Sequence, residues 1–233
     1  MIFAATHGLK DDIACGISAA GRHAYLLFGS LPDFFGTMDG PALWLNGVIL
    51  VDRKNKQSRR AAKPKMNYAL SLGTNILMFP EGTLNKTENL IVQKLFPGVY
   101  DVAKQSGALV VPVAIIQEDN KVYAKVCDAL DITQYERQEG LDTLRDLMAT
   151  AKYELMEKYS RCSRADIAMP KNTGRIFLDN LVNQMLPFYD YEIENSSQYL
   201  DETDLKHIAV KKQYKKFKFN KDNAFLLNKR YKL

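Results

Sequence analysis

Cysteine and histidine are scarce in this chain of 233 residues, with three of each. Cys15, Cys127 and Cys162 are odd in number, widely spaced and without a Cys-x-x-Cys pair, and only His7, His23 and His207 could add nitrogen ligands. That inventory argues against a structural disulfide and a zinc site, and it suits a reducing cytoplasm. Long apolar runs are missing as well. No window approaches the roughly 18–20 uninterrupted apolar residues that cross a bilayer, and the first residues lack a charged leader followed by a long apolar run, so no membrane span is expected. The sequence has no Gly-x-Ser-x-Gly elbow, which disfavours a serine hydrolase, and no internal repeat or low-complexity linker.

What is present is an ordinary globular composition, 46% hydrophobic and 25% charged. It is enough for one good-sized α/β core with a smaller appendage. The net charge of +5 is unevenly spread. Residues 206–233 hold ten Lys/Arg and a single acid, Asp222, whereas residues 1–205 hold 22 basic against 26 acidic residues. The basic character belongs to the tail.

Apolar runs and breakers organise the first 160 residues. Met1–Thr6 reads as a strand or a buried helix, and its abrupt end at His7-Gly8 favours the strand. Ile13–Phe28, behind Asp11 and Asp12, reads as a helix. Gly47–Val51 is a β-branched strand stopped by Asp52-Arg53, Ser58–Leu72 a helix ending near Gly73, and Asn75–Phe79 a strand closed by Pro80-Glu81-Gly82. Val99–Gln105 is a helix capped by Gly107, followed by the apolar run Leu109–Ile116 and a further strand at Lys121–Cys127. Gly140–Tyr159 is amphipathic, with Leu141, Leu144, Leu147, Met148, Ala151, Leu155 and Tyr159 at helical spacing. Alternation of this kind predicts an α/β fold with a mostly parallel central sheet flanked by helices. The predicted organisation is an α/β domain over 1–162 and a C-terminal extension over 163–233, with a helical stretch near Arg175–Leu186 and an acidic aromatic segment, Tyr189–Asp204.

Three strand ends carry polar residues foreign to a core: His7 with Asp12, Asp52-Arg53, and Glu81-Gly82-Thr83. Ligands of parallel sheets collect at the carboxyl ends of strands, so these groups are expected to converge on one cleft. A neutral imidazole accepts a proton near neutral pH, and a nearby carboxylate fixes its tautomer and stabilises the cation. Alone the pair is weak evidence: with 27 acids in 233 residues, a given offset from any His holds an acid about one time in eight. Arg53 opens a basic run (Lys54, Lys56, Arg59, Arg60, Lys63, Lys65) that also fits a solvated helix face. Pro80-Glu81-Gly82 also fits a plain turn.

Four segments in order change that weighting. Thr6-His7-Gly8-Leu9-Lys10-Asp11-Asp12 resembles the His-x4-Asp motif of the glycerolipid acyltransferase family, Gly47–Arg53 its second block, Phe79-Pro80-Glu81-Gly82-Thr83 its third and Val110-Val111-Pro112-Val113 its fourth. The likeness covers residues 1 to about 160. It implies an acyltransferase in which His7 deprotonates the acceptor hydroxyl, Asp12 orients the imidazole, Arg53 holds an acceptor phosphate, Glu81, Gly82 and Thr83 shape the acceptor site, and Pro112 shapes a wall. It implies an acceptor such as 1-acylglycerol-3-phosphate or another lysophospholipid or glycerol-phosphate, acyl-CoA or acyl-carrier protein as co-substrate, and no cofactor or metal. Two positions depart from the pattern. Leu84-Asn85 stand where Arg commonly follows Glu-Gly-Thr, leaving Lys10, Lys86 or Lys94 as replacement charges. Thr6 stands where Asn usually precedes the histidine, which leaves a backbone-satisfying role to a hydroxyl.

A hydrolase using the same cleft and a non-catalytic lipid-binding protein of the same fold are the alternative readings. The tail interleaves Lys and Arg with Tyr214, Phe217, Phe219, Phe225 and Tyr231. That pattern predicts contact with an anionic membrane surface, hence a cytoplasmic, peripheral location. A plain structural element is the next reading, and nucleic-acid binding is not expected.

Overall fold

A computed structural model describes residues 1–160 except 9–10, 30–33, 35–38, 86–89 and 119. The expectations for Lys10, Lys86, Cys162, the extension 163–233 and the basic tail 206–233 lie outside the described residues. Strands β1 (Ile2–Ala5), β2 (Ala24–Phe28), β3 (Val48–Leu50), β4 (Asn75–Met78), β5 (Val110–Glu118) and β6 (Lys121–Val126) alternate with helices α1 (Asp12–Ala20), α2 (Asp39–Asn46), α3 (Lys56–Ser71), α4 (Gly98–Ser106) and α5 (Arg137–Tyr159). The sheet order is β3-β2-β4-β1-β5-β6. The predicted α/β class, a mostly parallel sheet flanked by helices, is therefore the observed one.

The described residues divide into two compact units, one made of 1–22 and 77–160 and the other of 23–76. In the first unit β1 pairs in parallel with β5, with Ile2 opposite Val110 and Ala5 opposite Val113. All four β1 residues are buried, as are the first seven of β5, as expected for strands covered on both faces. β6 runs antiparallel to β5 and is largely exposed; its Lys121 and Lys125 are the charged residues that discourage edge pairing. Helix α5 buries Leu141, Leu144, Met148, Ala151 and Leu155, and the last two pack with Ala114 and Ile116 of β5. Leu147, assigned to that stripe by spacing, is 39% exposed, because it sits about 100° round the helix from Met148.

The unit of residues 23–76 is built on parallel β2 and β3, with Leu26 opposite Val48. Helix α3 starts two residues earlier than its sequence suggested, because Asn55 Oδ1 accepts the N–H groups of Gln57 and Ser58 and caps it.

The single helix expected over Ile13–Phe28 is corrected. Helix α1 stops at Ala20, where Gly21 takes a left-handed conformation (φ 61°) and donates its N–H to Ser18 O. That C-cap is open to glycine without a Cβ penalty. The apolar residues beyond it, Ala24–Phe28, then form β2. A short apolar run carries no periodicity that separates strand from buried helix, so the glycine was the informative signal. Helix α2 had no counterpart in the sequence reading.

Candidate active site

His7 leaves the carboxyl end of β1, and three sets of hydrogen bonds set its position. One residue back, the Thr6 hydroxyl is 1% exposed and accepts the Ile115 N–H of β5 at 3.0 Å. The Thr6 N–H donates to Val113 O at 3.0 Å, so the pairing with β5 continues to the residue that precedes the histidine. The His7 N–H then donates to Glu81 Oε1 at 2.9 Å, and the His7 carbonyl accepts the Asn85 N–H at 3.0 Å. Both backbone groups of His7 are thus held by the segment after β4.

Asp12 opens α1 and is 1% exposed, whereas the His7 side chain is 24% exposed. His7 Nδ1 lies 2.7 Å from Asp12 Oδ2, and the same oxygen accepts the Gly8 N–H at 3.0 Å. One carboxylate therefore closes the loop and orients the ring. The contact assigns the proton to Nδ1 and leaves Nε2 as the basic nitrogen. The Phe79 ring lies against the imidazole, with centroids 4.7 Å apart and planes tilted by 31°.

Glu81 is also 1% exposed, and its two carboxylate oxygens have different tasks. Oε1 accepts from His7 and Oε2 accepts the Gln93 N–H at 3.0 Å. Burial pushes its carboxyl above the usual range, opposed by those two N–H bonds and by the Lys152 charge. With both carboxylate oxygens engaged by backbone N–H groups, Glu81 acts as a strut between the His7 backbone and the loop at Gln93. Gly82 has φ 72°, and a Cβ there would come within 2.6 Å of the Phe96 ring. Its N–H donates to Phe79 O, so the Pro80-Glu81 turn depends on glycine at this place. Thr83 contributes its carbonyl, which accepts from Gln93 Nε2 at 2.9 Å.

Pro112 is buried in β5 opposite Ala4, three residues before His7 along β1. Arg53 is exposed in the unit of residues 23–76, its side chain running beside Gly29 and its carbonyl accepting from Arg59 Nη1. Lys94 is exposed.

Gln93, Asn85 and Lys152 were not found from sequence as site residues. Asn85 Nδ2 donates to the carbonyls of Leu90 and Ile91, and Gln93 bonds back to Glu81, Thr83 and Leu84. Neither residue forms a periodic or charged pattern that reveals a loop folding onto itself. The departure at Leu84-Asn85 was the nearest available signal.

The fold and this site define an α/β protein with a histidine–carboxylate pair at the end of a buried parallel strand, an arrangement suited to proton abstraction from a hydroxyl. A family model described as "Acyltransferase" matches residues 2–116, the stretch that carries His7, Asp12, Arg53, Glu81 and Pro112. The 1-acyl-sn-glycerol-3-phosphate acyltransferase of Salmonella typhimurium is 25% identical over 154 residues, 61% of this chain and 58% of that protein. The Haemophilus influenzae protein of the same name is 29% identical over 136 residues, 54% of this chain and 52% of that one. The chain thus spans little more than half the length of these relatives. Among solved structures, the 1-acyl-sn-glycerophosphate (LPA) acyltransferase PlsC from Thermotoga maritima superposes with a TM-score of 0.52 at 18% identity, covering 70% of this chain and 68% of that one. That likeness is one of fold. The chain belongs to the glycerolipid acyltransferase family.

Proposed function

We propose that the protein transfers a fatty acyl group from an acyl thioester, acyl-CoA or acyl-carrier protein, to the hydroxyl of a lysophospholipid or glycerol-phosphate acceptor, 1-acylglycerol-3-phosphate foremost. The 2.7 Å contact between His7 Nδ1 and Asp12 Oδ2 carries this reading. With Nδ1–H donating to Asp12, Nε2 takes the proton of the acceptor hydroxyl as its oxygen attacks the thioester carbonyl carbon. The carbon–sulfur bond breaks, and the imidazolium returns the proton to the departing thiolate. The substrate hydroxyl occupies the place that serine holds in a protease triad, so no covalent enzyme intermediate is needed. Buried Asp12 stabilises the imidazolium while it exists.

We assign the acceptor phosphate to Arg53, whose guanidinium offers a planar fork of donors, and the acceptor backbone to the Gly82-Thr83 turn. Among the described residues no helix is long and apolar enough to cross a membrane. Contact with an anionic leaflet is assigned to residues 206–233, each basic residue contributing about 1 kcal/mol near the surface. The deciding experiment is radiolabelled acyl transfer from acyl-CoA and acyl-carrier protein to a panel of lysolipids, with wild type and His7→Ala compared. Transfer by the wild type and its loss in a folded His7→Ala protein is the expected result; undiminished transfer excludes His7 as the base.

A further inference from the structure

Helix α5 lies beyond residue 116, where the family match ends, yet one of its side chains returns to the histidine loop. Lys152 stands one turn past the fully buried Met148 and extends its ammonium to the Ile91 carbonyl, 3.4 Å away. The same nitrogen is 3.7 Å from where a Cβ on Gly8 would sit. It is within electrostatic reach of the two buried carboxylates, Glu81 and Asp12. Gly8 donates to Asp12, and Ile91 is held by Asn85, so Lys152 meets both loops that hold His7.

We propose that Lys152 is a positioning residue of the active site, a half-buried cation that joins the two loops holding His7 and offsets the negative charge of the buried carboxylates Asp12 and Glu81. The charges support this assignment. With His7 neutral, Asp12, Glu81 and Lys152 sum to one negative charge, which the imidazolium cancels during the proposed reaction. Without Lys152 two negative charges would share a buried site, and proton uptake would relieve the repulsion. Glu81, already pushed toward its neutral form by burial, is the group to take that proton. A protonated Glu81 accepts the His7 and Gln93 N–H groups more weakly, so the backbone of His7 would loosen. Burial also disfavours the charged form of Lys152 itself, and the attraction of Glu81 and Asp12 opposes that effect.

The catalytic part of this proposal rests on the acyl-transfer reading, whereas the pairing with Glu81 does not, and the test separates them. Lys152→Met, Glu81→Gln and the double variant are compared with wild type by thermal and urea unfolding at neutral pH. Lys152→Met is expected to lower the unfolding midpoint markedly when Glu81 is present and by less than half as much in the Glu81→Gln background. Turnover in the transfer assay is expected to fall at least about tenfold, with KM for donor and acceptor within about threefold, and Lys152→Arg is expected to recover most of it. Equal midpoint shifts in the two backgrounds, or wild-type turnover in Lys152→Met, would overturn the proposal. A wild type without transfer activity would refute the acyltransferase reading and with it the catalytic role, while the unfolding comparison still decides the pairing.

Discussion

Glu81 Oε1 accepts the backbone N–H of His7 at 2.9 Å across 74 residues of sequence. Through this bond the turn after β4 sets the height of the histidine above β1. Replacing Glu81 with Gln leaves one amide oxygen where two carboxylate oxygens had accepted backbone N–H groups, so one N–H loses its partner. We expect Glu81→Gln to cost about 1–3 kcal/mol, measured by urea unfolding at neutral pH, and to lower acyl transfer as well.

The same carboxyl gives a signature in pH. Its folded pKa is raised above the ordinary 4.5 by burial. Between the unfolded and folded values the native state therefore binds more protons than the unfolded state, and stability falls as pH rises through that window. Comparing wild type and Glu81→Gln from pH 4 upward should show this fall in wild type and its absence in the variant. Parallel curves would refute the assignment.

Asp12 offers a separation of charge from geometry. Asp12→Asn keeps a side chain of the same shape, but removes the charge that stabilises the imidazolium and can reverse the tautomer. We expect turnover to drop about 10³–10⁴-fold, in line with the carboxylate of a protease triad, with an unchanged circular dichroism spectrum. A loss below tenfold would mean that Asp12 is only a loop closure.

Thr6 tests the other side of the histidine. Thr6→Val preserves shape and β-branching but leaves the buried Ile115 N–H without its hydroxyl acceptor. A loss of about 1–3 kcal/mol in unfolding free energy is expected, with Thr6→Ser close to wild type. Equal stability of Thr6→Val and wild type would exclude the hydroxyl as the closing group of the β1–β5 ladder.

Gly82→Ala combines a left-handed φ of 72° with a contact at 2.6 Å from the Phe96 ring. The backbone cost alone is about 1 kcal/mol or more, and the ring must move away. A drop in thermal midpoint is expected, with reduced transfer, because the Glu81 strut and the Thr83 carbonyl share this turn.

Much of the fold was legible because its strands are short apolar runs ended by polar residues or chain breakers, as at Ala5-Thr6-His7 and Phe79-Pro80-Glu81. Helical periodicity played no part in those assignments. Strand β2 was misread because Ala24–Phe28 follow a helix closely, with Gly21 as the signal of the break. His7 and Asp12 were visible by their spacing, and the Phe79–Thr83 block by its composition. Lys152 was invisible: a lysine next to Ala151 on an amphipathic helix reads as solvated, and its stem reaches inward only once α5 has packed.

The sequence by itself determined the chemical groups, the order in which strands and helices alternate and the five-residue separation that lets Asp12 fold back onto His7. Those are local matters, settled by residue type and backbone propensity. Only the tertiary structure decided that Glu81 holds the His7 backbone, that Pro112 is buried opposite Ala4 and that Lys152 reaches the Ile91 carbonyl beside the histidine loop. Each depends on which distant segments share one low-dielectric site, where an ionised group must find a partner or lose its charge.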